Sequence, residues 1–475
     1  MNAPAIWILF PGICAAALYF LRRWTRLTNL AGISIALLLA ILALAVPIGE
    51  TFSLAPIPAL SALQIGDTWV FQGRRFILED SSRPALAFVF LSLAFWFGGA
   101  SAASTNRLFV PVGLGIVTLL NASVAVEPFL YAALLIEMAA LVSIPMLSPP
   151  GKPAGRGILR FLTFQTLGLP FILLAGWLLS GTEINPADPE IVLRAAVMMI
   201  LGFSFQMAVF PFHTWIPMLA EEVHPYSAAF VLFVIPSAIS LLALEFLNRY
   251  AWLGTEAGGY LVLQFLGALM VLAGGIWAAF QRNLKRMLGY AAITETGQAL
   301  LALSLGFSGV IPADPAGSVP LVGLYFAQFL PRMLGLTLWA LGLSTLQTAA
   351  PGLDFEHVRG IARKMPAASA AVALAHISLA GFPLLASFPT HLALWSALSV
   401  QSLPATLLSL IGSAGLLMGA LRTLAVLLTG SGAEEWQVLE NRRQLGLLAA
   451  GGILLFLLGI FPQWFLPSLV ALAGG

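Results

Sequence analysis

The chain has 475 residues, of which 60% are hydrophobic and only 9% charged, with a formal net charge of +2. Soluble domains carry about 25% charged residues, so this chain cannot cover a water-facing surface, and a lipid bilayer is its natural solvent. The small charge argues against a nucleic-acid partner, and the single Cys14 excludes an internal disulfide or a cysteine-clustered metal site.

A helix that crosses the hydrocarbon core needs about 20 apolar residues. Runs of this kind fall near 5–21, 27–49, 84–103, 107–126, 128–147, 158–180, 192–219, 226–247, 258–280, 285–308, 317–346, 367–398, 403–429 and 444–471. They predict an all-α polytopic membrane protein of about fourteen transmembrane helices. The longest stretch between runs, about 50–83, offers no core for a soluble domain, so 1–475 reads as a single membrane domain.

No basic stretch precedes the first run, and Arg22–Arg23 follow it. That order argues against a cleaved signal peptide and for an anchor with its N-terminus outside. Of the 22 Lys and Arg residues, fifteen then lie in inside loops, among them Lys152, Arg282, Lys285 and Arg359. Five lie outside, and Arg332 and Arg422 fall within runs. The bias follows the positive-inside rule, and an even helix count puts both termini outside.

Polar residues inside the runs carry the chemistry. Glu137 lies in the middle of YAALLIEMAALVSIPML, where a carboxylate is costly and usually has a task; a protonated Glu bonded to a neighbouring carbonyl is the plainer alternative. The seventh run contains Phe210-Pro211 and then Pro217, and the twelfth contains Phe382-Pro383 and then Pro389. Proline inside a span frees backbone carbonyls and bends or breaks the helix. Two interrupted helices at corresponding places point to a transporter built from repeats, although two ordinary kinks would leave the same trace. They lie five helices apart, so successive five-helix units would have opposite orientation.

His213 lies between the first pair of prolines, with either a functional or a purely structural role. Glu221, Glu222 and His224 fall at a helix–loop boundary, where solvated charge is the default. Glu295 in YAAITETGQAL, Arg332 in AQFLPRMLG, and His376 and His391 around the second break all fall within runs. Together these groups suggest a polar lane in the membrane, which suits the movement of protons or ions. No phosphate loop, His-Glu-x-x-His motif or nucleophile with its base is present. Haem ligation by His213 and His391 finds little support in scattered histidines.

These segments resemble a known family. FPFHTWIPMLAEEVHPYSAA is similar to the F-H-T-W-L-P-D-A-H-x-E-A-P-x-x-x-S-A segment of the antiporter-like subunits of respiratory complex I, membrane-bound hydrogenases and Mrp-type antiporters. RNLKRMLGYAAITETGQALLAL looks like their D-x-K-R-x-L-A-Y-S-S-I-x-x-x-G segment, and AGFPLLASFPTHLALW like their G-x-P-P-x-x-G-F-x-x-K segment. The resemblance implies fourteen helices with two inverted five-helix repeats and broken helices 7 and 12. The repeats would cover about 107–247 and about 258–429, after N-terminal helices at 1–103 and before a C-terminal helix at 444–471. It is closest to the shorter complex I subunits.

The resemblance also assigns positions. Glu137 matches the family's fifth-helix glutamate and Lys285 its basic loop residue. Gln206 and Pro236 stand where the family has lysines, Gln328 and Arg332 where it has His and Lys, and His391 where it has the twelfth-helix lysine. Gln and Pro cannot titrate and Arg is effectively always protonated, so the first repeat looks impaired and the second keeps His391. Proton-pathway candidates are therefore Glu137, His213, Lys285, Glu295, Arg332 and His391.

The implied function is proton or cation translocation by a membrane subunit of a complex I-like NADH/quinone oxidoreductase-type assembly. Other membrane subunits are the expected partners, and the chain itself should hold no redox cofactor or metal. The implied location is the inner (plasma) membrane or an equivalent energy-converting membrane. A non-conducting structural subunit is the alternative, as is an antiporter-like subunit of a cation/proton exchanger or inorganic-carbon uptake complex.

Overall fold

In a computed structural model of the chain, the described residues are 2–52, 63–148, 151, 153–180, 189–250, 258–307, 322–430 and 437–470. Lys152 and the first residues of the eleventh run, 317–321, lie outside them. Every apolar run holds a helix. In order these are α1 (Ala5–Phe20), α2 (Thr25–Ala45), α3 (Arg83–Ala100), α4 (Phe109–Ala125) and α5 (Tyr131–Leu147). Next come α6 (Arg156–Leu178), α7 (Pro189–Gln206), α8 (Trp215–Glu222), α9 (Pro225–Arg249) and α10 (Gly259–Phe280). The remainder are α11 (Leu284–Gly306), α12 (Gly323–Leu346), α13 (Pro366–Leu379), α14 (Phe388–Gln401), α15 (Leu403–Leu428) and α16 (Arg442–Ile460).

The seventh run is split between α7 and α8 and the twelfth between α13 and α14, so both are broken helices as their prolines foretold. Among the described residues, eight helices are long and apolar enough to cross a membrane by length and composition, and α1, α4, α5 and α13 are shorter apolar ones. Lipid offers the backbone no partners, so these segments close their hydrogen bonds internally as helices. Starts are marked by proline in the first turn of α9, α13, α14 and α15 and by Asn caps on α11 and α16.

The chain divides into two compact units. The first comprises Met1–Ser101 with Thr105–Met146. Trp7 donates from Nε1 to the Leu39 carbonyl, tying α1 to α2. The stretch between α2 and α3 adds short strands, β1 (Thr51–Phe52) with β2 (Leu63–Gln64), and β3 (Thr68–Phe71) with β4 (Arg74–Ile77). Strands β3 and β4 pair antiparallel across Gln72–Gly73, whose positive φ values make the turn. A further strand, β5 (Val126–Glu127), pairs with β4, and Arg75 forms a 3.1 Å ion pair with Glu127. The hairpin was not foreseen; its alternation is confined to four residues a strand, too short to stand out beside the apolar runs.

The second unit holds α6–α16, together with Ala102–Ser104. Helices α9 and α12 form its centre, with 78% and 94% of their apolar stretches buried. On its outside large apolar side chains stay exposed, such as Phe265 and Trp277 of α10, the face expected of a helix solvated by lipid. Helices α10 and α15 touch backbone to backbone, since a Cβ on Gly275 would fall 1.8 Å from the Gly412 carbonyl oxygen. This packing holds α11 against the centre, where its carboxylate lies.

Candidate functional site

Helix α13 stops at Leu379. Gly381 and Leu384 then take φ of +75° and +71°, and the chain stays out of the helix until Phe388. The restart, with Pro389 in its first turn, carries His391 into the interior, where it is 1% exposed. A Cβ at position 381 would lie 2.7 Å from His391 Nδ1, so the imidazole rests on a bare glycine. Its Nε2 lies 3.6 Å from Oε1 of Glu295, itself 1% exposed on α11.

Arg332 of α12 completes the group. It is 1% exposed and within electrostatic reach of Glu295. One guanidinium nitrogen, Nη2, donates to Thr296 Oγ1 at 2.9 Å and to the Leu232 carbonyl at 3.4 Å. Thr296 is the residue after Glu295, so the arginine is held beside the carboxylate by its neighbour. On the same face of α12, the Tyr325 hydroxyl lies 2.7 Å from Ser240 Oγ of α9.

Further polar groups continue from this centre. Gln298 donates to Ser413 at 3.4 Å and accepts from Ser409 at 3.3 Å, while Ser409 accepts from Trp395 Nε1 at 2.9 Å. Glu295 Oε1, His391 Nδ1, Arg332 Nε and both amide atoms of Gln328 are buried without a hydrogen-bond partner in the protein. Each such atom costs about 1–3 kcal/mol unless it is hydrated, so a tightly dry interior is the least favourable setting for this group. A carboxylate, an imidazole and a fixed cation at such separations can pass and hold a proton.

The first broken helix is chemically different. Helix α7 ends at Gln206, Ala208 takes φ of +60°, and α8 begins at Trp215. Gln206 Nε2 donates to the Gln165 carbonyl at 3.3 Å, and Gln165 Nε2 donates to the Gln206 carbonyl at 3.0 Å. A Cβ on Gly168 would lie 2.5 Å from Gln206 Cγ, so the side chain is also packed tightly. His213, in the short turn Phe212–Thr214, stacks on Phe210 with ring centroids 5.4 Å apart. Pro236 lies inside α9, and Glu137 lies on α5 of the first unit, 6% exposed.

Lys285 lies in the first turn of α11, where the Asn283 side chain accepts from its amide and from that of Arg286. It faces the charges of Glu221 and Glu222 at the end of α8. Those glutamates are engaged rather than freely solvated. Glu221 pairs with Arg286 at 2.6 Å, and Glu222 Oε2 accepts from the Gly157 amide at 2.7 Å, capping the start of α6. Burial and the Lys285 charge push His224, at the start of α9, down to about 4.

The structure thus gathers Glu295, Arg332 and His391. It leaves His213 at the other break and Lys285 at the mouth of α11. Thr296, Tyr325 and Ser240 are partners that the sequence reading missed. Tyr325, Gln328 and Arg332 fall at i, i+3 and i+7, a spacing that puts them on one helix face. Among the described residues, no group of three His, Cys, Asp or Glu side chains could hold a metal ion.

Residues 178–419 match a family model described as NADH:quinone oxidoreductase/Mrp antiporter, transmembrane. NADH-quinone oxidoreductase subunit N of Rhodopseudomonas palustris is 30% identical over 389 residues, which is 79% of this chain and 76% of the relative. The subunit N of Ectopseudomonas mendocina is 28% identical over 247 residues, 48% of this chain and 47% of its own length. The chain spans about half the length of the first such curated relatives it matches. Among solved structures, one chain of an archaeal membrane-bound sulfane sulfur reductase shares the fold with a TM-score of 0.79. It is 18% identical, and the match covers 100% of this chain and 97% of that one.

Proposed function

The chain belongs to the NADH:quinone oxidoreductase/Mrp antiporter transmembrane family and is a multi-pass membrane protein. On that premise we propose that it serves in a complex I-like NADH/quinone oxidoreductase-type assembly. Its task there is to move protons, or another cation, in step with electron transfer carried out by other subunits. Relatives named as subunit N of NADH-quinone oxidoreductase support this reading, as they support partnership with other membrane subunits in an energy-converting membrane.

The observation that carries it is the buried Glu295–His391 pair at the second broken helix. Glu295 and His391 are the groups able to exchange a proton, and Arg332 supplies the fixed charge. Unwound backbone at 380–387 is tolerated inside a membrane where it lines a polar path. The two breaks, 207–214 and 380–387, also support the pair of inverted five-helix repeats. Proton uptake by proteoliposomes holding the assembled complex, with His391→Gln against the wild type, tests the proposal. Unchanged proton movement per electron transferred would sink it.

A second reading has its own support. The reciprocal Gln165–Gln206 pair closes the end of α7, beside the first break, with groups that cannot titrate. A subunit that keeps the scaffold without conducting fits that feature, and the same proteoliposome assay separates the two.

A further inference from the structure

Pro236 stands in the interior of α9, where it cannot donate the helical hydrogen bond to the carbonyl four residues back. That carbonyl belongs to Leu232, and it accepts from Arg332 Nη2 at 3.4 Å, the long end of the hydrogen-bonding range. The same nitrogen is fixed more tightly at Thr296 Oγ1, 2.9 Å away. Thr296 in turn donates to the Ala292 carbonyl at 2.8 Å, which fixes the lone pair it offers the guanidinium. The Phe233 ring, next to Leu232 on α9, lies 5.9 Å from the guanidinium carbon.

We propose that Pro236 is a positioning residue for Arg332: by freeing the Leu232 carbonyl it supplies an acceptor that holds the guanidinium at the interface of α9, α11 and α12, next to Glu295. A buried guanidinium brings five donors and needs acceptors for them. A helical carbonyl ordinarily already accepts from the amide four residues on, and a proline at that position leaves it without that donor and open to a side chain. The nearby serines of α9 turn their hydroxyls to their own helix, Ser237 donating to the Phe233 carbonyl at 2.7 Å and Ser240 to that of Pro236 at 2.9 Å. The α9 group that accepts from Arg332 is the Leu232 carbonyl. Only the consequence for Glu295 and His391 rests on the relay reading; the pairing of proline and arginine does not.

The test compares Pro236→Ala with Pro170→Ala, a control at another helix-interior proline, on α6. The protein is uniformly 15N-arginine labelled and reconstituted in lipid. The Arg332 Nη signal is identified by its loss in Arg332→Lys. Pro236→Ala restores the amide and should move or broaden the Arg332 Nη signal, while Pro170→Ala leaves it in place. In unfolding measurements Pro236→Ala should lower the midpoint in the wild type and leave it unchanged or raised in Arg332→Met. An unmoved Nη signal, or an equal midpoint shift in both backgrounds, overturns the pairing. A moved signal with proton translocation intact upholds the pairing and counts against the relay reading.

Discussion

Gln165 and Gln206 each donate a side-chain amide to the other's backbone carbonyl, at 3.0 and 3.3 Å, locking α6 to the last turn of α7. The end of α7 is thereby filled by an amide that cannot titrate. Gln206→Lys should therefore fail to supply a working cation there. It removes one donor, leaves a buried charge to be matched and strains the contact with Gly168. A loss of about 3–5 kcal/mol is expected, read as a lower unfolding midpoint in detergent. A lysine variant as stable as wild type would contradict it.

Glu295 and His391 should behave as one unit. Glu295→Gln or His391→Gln alone should lower proton translocation by about a hundredfold or more, with assembly unchanged. The double variant should be no worse than either single one, because both sit on the same step. Multiplying losses in reconstituted vesicles would show two independent routes.

Gly381 is the support of the imidazole. An alanine there adds a Cβ 2.7 Å from His391 Nδ1 at a residue whose φ is +75°. The backbone cost is on the order of 1–3 kcal/mol, and a shifted ring should cost tenfold or more in translocation. Gly452, where an added Cβ meets only ordinary contact with Leu374 at 3.5 Å, is the control. Equal effects of alanine at the two sites would dismiss the glycine's role.

His224 gives the chain a pH-dependent contribution to stability. Its ring is pushed down to about 4 by burial and the Lys285 charge, while an unfolded chain's histidine titrates near 6.5. Between these values the unfolded state binds the extra proton, so the contribution is complete above about 6.5 and is lost as pH falls toward 4. The total is up to about 3 kcal/mol. His224→Gln should flatten that part of the stability–pH curve, followed by unfolding midpoints from pH 7 to pH 4. An unaltered slope in the variant would refute it.

Topology is open to a direct check. Arg282 is exposed just before α11 and belongs to the loops assigned inside. A cysteine there should react with an impermeant thiol reagent only from the inside. Labelling from the outside would invert the arrangement.

Helix number and the two breaks were legible because lipid imposes them through composition and proline alone. Every apolar run holds a helix, and Phe210-Pro211 and Phe382-Pro383 mark where two are interrupted. Glu295, Arg332 and His391 were legible as isolated polar residues in apolar surroundings. Their assembly was not, since residues 295, 332 and 391 meet only through packing of α11, α12 and α14. The Gln165 partner of Gln206 was hidden for the same reason, 41 positions away. The engagement of Glu221 and Glu222 was missed because two acidic residues at a helix end read as solvated charge.

The two glutamates at the end of α8 have a mechanical consequence. Glu222 clasps the start of α6 and Glu221 clasps Arg286 at the start of α11, so this end of the half-helix is bolted at two points. Its other end adjoins the unwound segment that carries His213. The middle of the same rod is packed as well, since a Cβ on Gly157 would lie 2.6 Å from the Met218 carbonyl carbon and one on Gly289 3.0 Å from Pro217 Cα. Helix α8 is thus a strut of about 12 Å that fixes the spacing between the starts of α6 and α11 and anchors the segment carrying His213.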